Sequence, residues 1–221
     1  VIVVADPAGL RQIEDLPFGD RIKAVPFDEA NISAARNRGI AQAAGDIVAF
    51  LDDDAVPETR WLDHLAGVFA DPGVAAAGGY VLGRNGISTQ WSGRVVDNTG
   101  DARIVALSRQ KPTVLTPPPG RAVKTEGTNM AVRRDILAGI GGFDPAFRFY
   151  LDETDLNMRL ARLGYATAIV PLAVVHHGYA ASAIRRPDRA VRDLHQIAAS
   201  TVVFLRKHCP ATRHAAVLTS A

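Results

Sequence analysis

The acidic residues of this chain fall into two tight groups, and each group suggests a chemistry. Asp52-Asp53-Asp54 follow directly on the apolar run Ile47-Val48-Ala49-Phe50-Leu51, so dense negative charge stands where a buried strand emerges into a loop. Carboxylates this close repel one another. At neutral pH they share protons, sit in a solvated turn, or neutralise a hard cation such as Mg²⁺ or Mn²⁺ through oxygen ligands. The second group, Asp152, Glu153 and Asp155, opens a helical pattern. Carboxylates there complement the helix dipole and cap exposed N–H groups. One held in a partly desolvated cleft can also take a proton from an attacking hydroxyl.

Three further sites carry two readings each. His176-His177 end an apolar strand; they are structural residues, or one imidazole joins the acid triplet in a mixed oxygen and nitrogen metal site. Gly127-Thr128-Asn129 is a strand bend, or a place where bare backbone approaches a ligand while Asn129 offers a donor and acceptors. Arg36 and Asn37 are helix surface, or Arg36 recognises a diphosphate through its planar fork.

The elements that must position these residues alternate. Val1 to Ala5 reads as a strand ending at Asp6, with a second strand near Arg21 to Phe27. Asn31 or Ser33 caps a helix bearing Ile32, Ala35, Ile40 and Ala43, and Gly45 stops it. After the acid-tipped strand, Pro57 starts a helix with Trp61, Leu62, Leu65, Val68 and Phe69, and Val74 to Leu82 is a strand. Residues 83–123 lose periodicity and read as long loops with one hairpin. A strand over Thr125 to Val132, a helix over Asp152 to Leu163 and a strand over Ala168 to Val175 complete the pattern. This order predicts an α/β fold with a mainly parallel central sheet, helices on both faces, and ligands at the carboxyl ends of the strands.

At 221 residues, 48% hydrophobic and 22% charged, the chain is long enough for one substantial core. The net charge of +2 argues against a broad nucleic-acid surface, but it is unevenly spread. From Arg185 onward seven Arg/Lys face two Asp, which leaves the body at −3. The single Cys209 excludes an internal disulfide framework and a Cys-rich zinc site. No apolar stretch reaches the roughly 20 residues of a membrane span. The chain opens on a strand, Val1-Ile2-Val3-Val4, without an initiating Met, so an excerpt of a longer protein is expected.

Five segments, in this order, resemble family 2 glycosyltransferases of the GT-A fold: Asn31-Ile-Ser-Ala-Ala-Arg-Asn-Arg-Gly-Ile40; Phe50-Leu-Asp-Asp-Asp54 with Pro57 and Trp61-Leu62; Gly127-Thr-Asn-Met-Ala-Val-Arg-Arg134; Gly141-Gly-Phe-Asp144; and Asp152-Glu-Thr-Asp-Leu-Asn-Met-Arg159. The resemblance implies a GT-A-like (Rossmann-like) sheet lacking its first strand before Val1, and a metal-dependent inverting transfer. A nucleotide-diphosphate sugar would be the donor and a glycan, lipid-linked or small hydroxyl compound the acceptor, in polysaccharide, glycolipid or cell-surface glycan synthesis. Asp6 would contact the nucleotide base, Arg36 would lie near the nucleotide, and Asp52 and Asp54 would be the outer members of an Asp-x-Asp motif. Asp54 would coordinate Mg²⁺ or Mn²⁺, with Asp52 at the ribose or metal and His177, rather than His176, as a further ligand. Asp53, Gly127 and Asn129 complete the expected donor-binding set. The base would be Glu153. The order here is Asp-Glu where the family has Glu-Asp, which leaves Asp155 or Asp152 open.

Two competing classes remain at this level. Asp52-Asp53-Asp54-Ala55-Val56 also fits the pattern of haloacid-dehalogenase-like phosphatases, whose first Asp is a nucleophile, and a truncated domain could bind nucleotide-sugars without catalysis. Residues 1–184 are expected to form the transferase domain. Residues 185–221 would be a basic helical segment, with Val191, Leu194, Ala198, Val202 and Leu205 in one stripe between Asp188 and Lys207. That segment packs on the domain or docks on an anionic membrane with help from Arg206, Lys207 and Arg213, for a cytoplasmic location at the inner membrane face.

Overall fold

The computed structural model describes residues 1–14, 16–178, 186, 191–192 and 194–220. β1 (Ile2–Ala5) and β2 (Lys23–Pro26) pair in parallel across α1 (Pro7–Glu14) and form a two-stranded sheet of their own. α2 (Ile32–Gln42) is capped by Asn31, whose side chain accepts from Ala34 N at 3.0 Å. Ser33 instead points inward and donates to Phe147 O at 2.7 Å. Gly39 lets α2 lie close on β1, 3.3 Å being all that a Cβ there would leave to Val4. Ile40 on the same helix packs into the core of the larger sheet. One helix thus spans both sheets.

The larger sheet has seven strands. Its spine runs β3 (Ile47–Phe50), β11 (Met130–Arg133), β5 (Val74–Gly83), β12 (Ala166–His177), β4 (Ala55–Pro57); β6 (Thr89–Trp91) adds to β5 and β9 (Thr113–Leu115) to β12. Of its ladders only β5–β12 is parallel, so the sheet is mixed rather than mainly parallel. The cause is β11. It arrives late in the chain and inserts antiparallel between β3 and β5, which leaves β3, β5 and β12 pointing the same way without being adjacent throughout.

Residues 83–123 hold more structure than their sequence suggests. β7 (Arg94–Asp97), β8 (Ala102–Ile104) and β10 (Arg121–Lys124) form an antiparallel sheet in the order β10-β7-β8. Strands of three or four residues offer too few positions for alternation to show. The strand expected from Thr125 begins only at Met130, because Asn129 N donates to Glu126 O at 2.9 Å and closes a turn.

α3 (Trp61–Gly67) covers one face of the large sheet with Trp61 and Leu65, against Val74, Ala77, Val170 and Val175. α4 (Arg134–Gly139) and α5 (Asp152–Arg162) cover the other, with Leu137, Leu156 and Leu160 on Ala76, Met130 and Val132. Burying each leucine contributes roughly 1.5–3 kcal/mol. α5 has a second buried side: Met158 meets Val96 and Ala122 of the three-stranded sheet and Phe204 of α6 (His195–His208). α7 (His214–Ser220) follows. Of the expected C-terminal stripe, residues 187–190 and 193 lie outside the described residues, and the helix observed begins at His195.

Candidate active site

β3 ends at Phe50 and releases Asp52, Asp53 and Asp54 before β4 turns back along β12. Register places Ala55 opposite His177, and Gly178 N donates to Asp54 O at 2.7 Å. His177 Nε2 therefore lies 3.0 Å from Asp54 Oδ1. One ligand atom from each of Asp52, Asp54 and His177 falls within 4.8 Å of the other two. Two carboxylate oxygens and an imidazole nitrogen on one half-buried cleft suit Mg²⁺ or Mn²⁺. Adjacent strand residues point to opposite faces, so His176 turns away and pairs with Glu58 at 2.6 Å. Asp53 is exposed and stands outside the triad.

The carboxylates of α5 reach this cleft through one side chain. Arg36 Nη2 lies 3.4 Å from Asp52 Oδ1, and Arg36 Nη1 pairs with Asp152 Oδ2. Gly127 makes room for it, since a Cβ there would run into the guanidinium. Beside Asp152, Glu153 Oε1 accepts from Lys124 Nζ at 2.8 Å, and the same ammonium reaches Glu126 Oε1 at 2.6 Å. Lys124 and Arg94 both lie 4.4 Å from the centre of the Trp91 ring.

These environments push two neighbouring acids apart. Burial and the adjacent Glu153 charge raise Asp152 to about 7, against the pull of Arg36. Burial would raise Glu153 too, but the Lys124 charge and hydrogen bond outweigh it and bring Glu153 down to about 2. The chain enters α5 through Tyr150 and Leu151, both left-handed at φ 74° and 63°. This backbone is costly for residues with a Cβ, and it leads directly into the acidic first turn of α5.

The remaining candidates lie elsewhere. Asp6 is exposed at the end of β1, where it accepts from Gly9 N at 2.7 Å. Asn129 is fully buried and occupied within the sheet: Oδ1 accepts from Trp61 Nε1 at 2.8 Å, and Nδ2 donates to Tyr80 O and Ala173 O. Both of its side-chain polar atoms are thus engaged within the protein. Asp155 is also fully buried, with oxygens 2.8 Å from Arg159 Nε, Lys207 Nζ and His208 Nε2. Burial alone would raise it, but His208, Arg159 and Lys207 lower it to about 2.

Sequence reasoning missed Lys124, Glu126 and Trp91. Lys124 and Glu153 are 29 residues apart, and no spacing pattern links a strand-end lysine to a helix across such a distance.

The family model described as "Glycosyltransferase like family 2" matches residues 1–196. A Pre-mycofactocin glycosyltransferase of Mycobacterium tuberculosis is 29% identical over 151 residues, covering 66% of this chain and 30% of that protein. The O-antigen biosynthesis protein RfbC of Myxococcus xanthus is 30% identical over 169 residues, covering 72% of this chain and 13% of that protein. The chain thus spans a third or less of these curated relatives. Among solved structures, GalNAc-T7 with UDP, GalNAc and Mn²⁺ superposes with a TM-score of 0.59 at 16% identity, over 80% of this chain and 37% of that one. A match over residues 1–196 takes in all three sheets, the acid triplet, His177 and the head of α5, so this chain belongs to glycosyltransferase family 2.

Proposed function

We propose that the chain transfers a sugar from a nucleotide-diphosphate donor to a hydroxyl acceptor by a single inverting displacement. The observation that carries this reading is Arg36, which joins Asp52 of the cation-binding triad to Asp152 of the α5 acids and so supports one shared cleft. Asp54, Asp52 and His177 would hold Mg²⁺ or Mn²⁺, which when bound supplies Lewis acidity to the diphosphate leaving group. Arg36 adds a fixed positive charge beside the same phosphates. Glu153, ionised and side by side with Asp152, would take the proton of the acceptor hydroxyl. Asp155 is left out of that role, because its oxygens are already taken by Arg159, Lys207 and His208. Asp6 would meet the nucleotide base, as the family resemblance implies. Lipid-linked or cell-surface glycans are the acceptors in keeping with an O-antigen relative, with the exposed Arg206 and Arg213 available to an anionic membrane. No helix among the described residues is long and apolar enough to cross a membrane.

The test has two stages. Nucleotide-sugars are screened for metal-dependent thermal stabilisation, and the donor found is used to measure transfer by the wild type and by Glu153→Gln. Loss of a general base lowers turnover by about 10² to 10⁴, with donor affinity unchanged. Full turnover in Glu153→Gln would reject the assignment. Phosphate release from simple esters without an acceptor would instead favour the phosphatase chemistry.

A further inference from the structure

Glu153 lies in a cage of charges that come from four separate elements. Lys124 approaches from β10 at 2.8 Å and Arg36 from α2, while Asp152 adjoins it on α5. Glu126, in the turn after β10, shares the Lys124 ammonium at 2.6 Å and faces Arg94 of β7. Trp91 of β6 closes the cage, its ring 4.4 Å from Lys124 Nζ. Little water reaches the group, since the side chains of Lys124 and Glu153 are only 12% and 13% exposed. A flexible ammonium held between two carboxylates and an aromatic face has one place to go. The glutamate it binds is fixed in turn.

We propose that Lys124 is a positioning residue for Glu153, held by Glu126 and Trp91 so that the Glu153 carboxylate keeps its place beside Asp152 and Arg36. This rests on Glu153 being the base, and it assigns a task to a lysine outside the metal triad. The physics fits a group that must carry charge in a dry setting. Burial favours the neutral acid, and at Glu153 the Lys124 charge and hydrogen bond outweigh it. The Asp152 carboxyl, paired with Arg36 but buried beside the Glu153 charge, takes the opposite course. Lys124 is itself held protonated by Glu153 and Glu126 despite its burial, so it acts as a fixed charge.

The test follows the Glu153 side-chain carboxyl carbon by ¹³C NMR as a function of pH in the full chain, the resonance being identified by its loss in Glu153→Gln. In Lys124→Met the titration midpoint is expected to rise by roughly 1–3 pH units, the range for a carboxylate that loses a neighbouring cation. Lys124→Arg should hold it near the wild-type value. With the donor found by screening, kcat in Lys124→Met should fall through lost positioning, since a rise of that size leaves Glu153 ionised at neutral pH, and its acid limb should move up by the same interval, with the donor KM unchanged. A Glu153 midpoint that stays in place in Lys124→Met overturns the proposal. If that variant does not fold, Lys124→Met combined with Glu126→Gln removes the cation together with its second carboxylate, and the same readout applies. Full turnover in Glu153→Gln would sink the base assignment, whereas an unmoved midpoint would sink only the part given to Lys124.

Discussion

Asp152, Glu153 and Asp155 lie within four residues, yet each meets a different partner set and so a different fate. Glu153 faces a lysine, Asp152 a bridging arginine, and Asp155 a closed group of Arg159, Lys207 and His208. Asp155 makes a sharp case for stability. Its folded value of about 2 lies below the ordinary 3.8, so between pH 4 and pH 2 the unfolded chain binds a proton that the folded chain does not. Its contribution, about 2 kcal/mol, is complete above pH 4 and is lost as pH falls toward 2. Asp155→Asn should flatten the pH dependence of unfolding in that window. It should also cost about 3–5 kcal/mol at neutral pH, because Lys207, His208 and Arg159 would be left without their shared acid. Urea denaturation from pH 2 to pH 7 measures both; a variant as stable as the wild type would deny Asp155 this role.

At the scale of elements, the close meeting of β5, β11 and β12 sets the site's frame. Gly79 of β5 has no room for a side chain: a Cβ would meet the backbone carbonyl of Ala173 and come within 2.6 Å of Asn129 Nδ2. That contact lets the Asn129 amide bind the carbonyls of both Tyr80 and Ala173, tying β5 to β12 just before the end that carries His177. Gly79→Ala should therefore destabilise by about 1–3 kcal/mol or more through overpacking against rigid backbone. Gly67→Ala at the end of α3, where a Cβ would meet nothing within 4 Å, should be neutral or stabilising by up to about 1 kcal/mol. Equal effects of the two substitutions in chemical denaturation would contradict this reading of the sheet. α6 is joined to α5 by the Asp155 group and by Phe204, which is fully buried. A basic C-terminal helix can thus be both core and surface, with Ser200 and Phe204 inward and Arg206 outward.

For the molecule as a whole, the legible part of the site was the part made of strand ends. A charged residue at the end of an apolar run is visible in one dimension, and Asp54 and His177 were readable that way because both close such runs and β4 then brings them to 3.0 Å. Arg36 was legible as a candidate, but its bridge from Asp52 to Asp152 was not, since the two acids are 100 positions apart. The sheet's mixed character was also hidden. Alternating strands and helices imply parallel crossovers, and nothing local in Met130–Arg133 says that the strand returns between β3 and β5. Asn129 had the chemistry of a ligand residue but the burial of a structural one, and burial depends on the fold. All of these parts converge on one claim, that a divalent cation joins Asp54 and His177 to a nucleoside diphosphate. The most direct measurement is Mn²⁺ binding followed by electron paramagnetic resonance, with and without UDP, GDP or dTDP, in the wild type and in Asp54→Ala and His177→Ala. Mn²⁺ binding that one of these nucleotides tightens, and that either substitution weakens at least tenfold, is the expected result; nucleotide binding that ignores Mn²⁺, or Mn²⁺ binding that survives both substitutions, would contradict it.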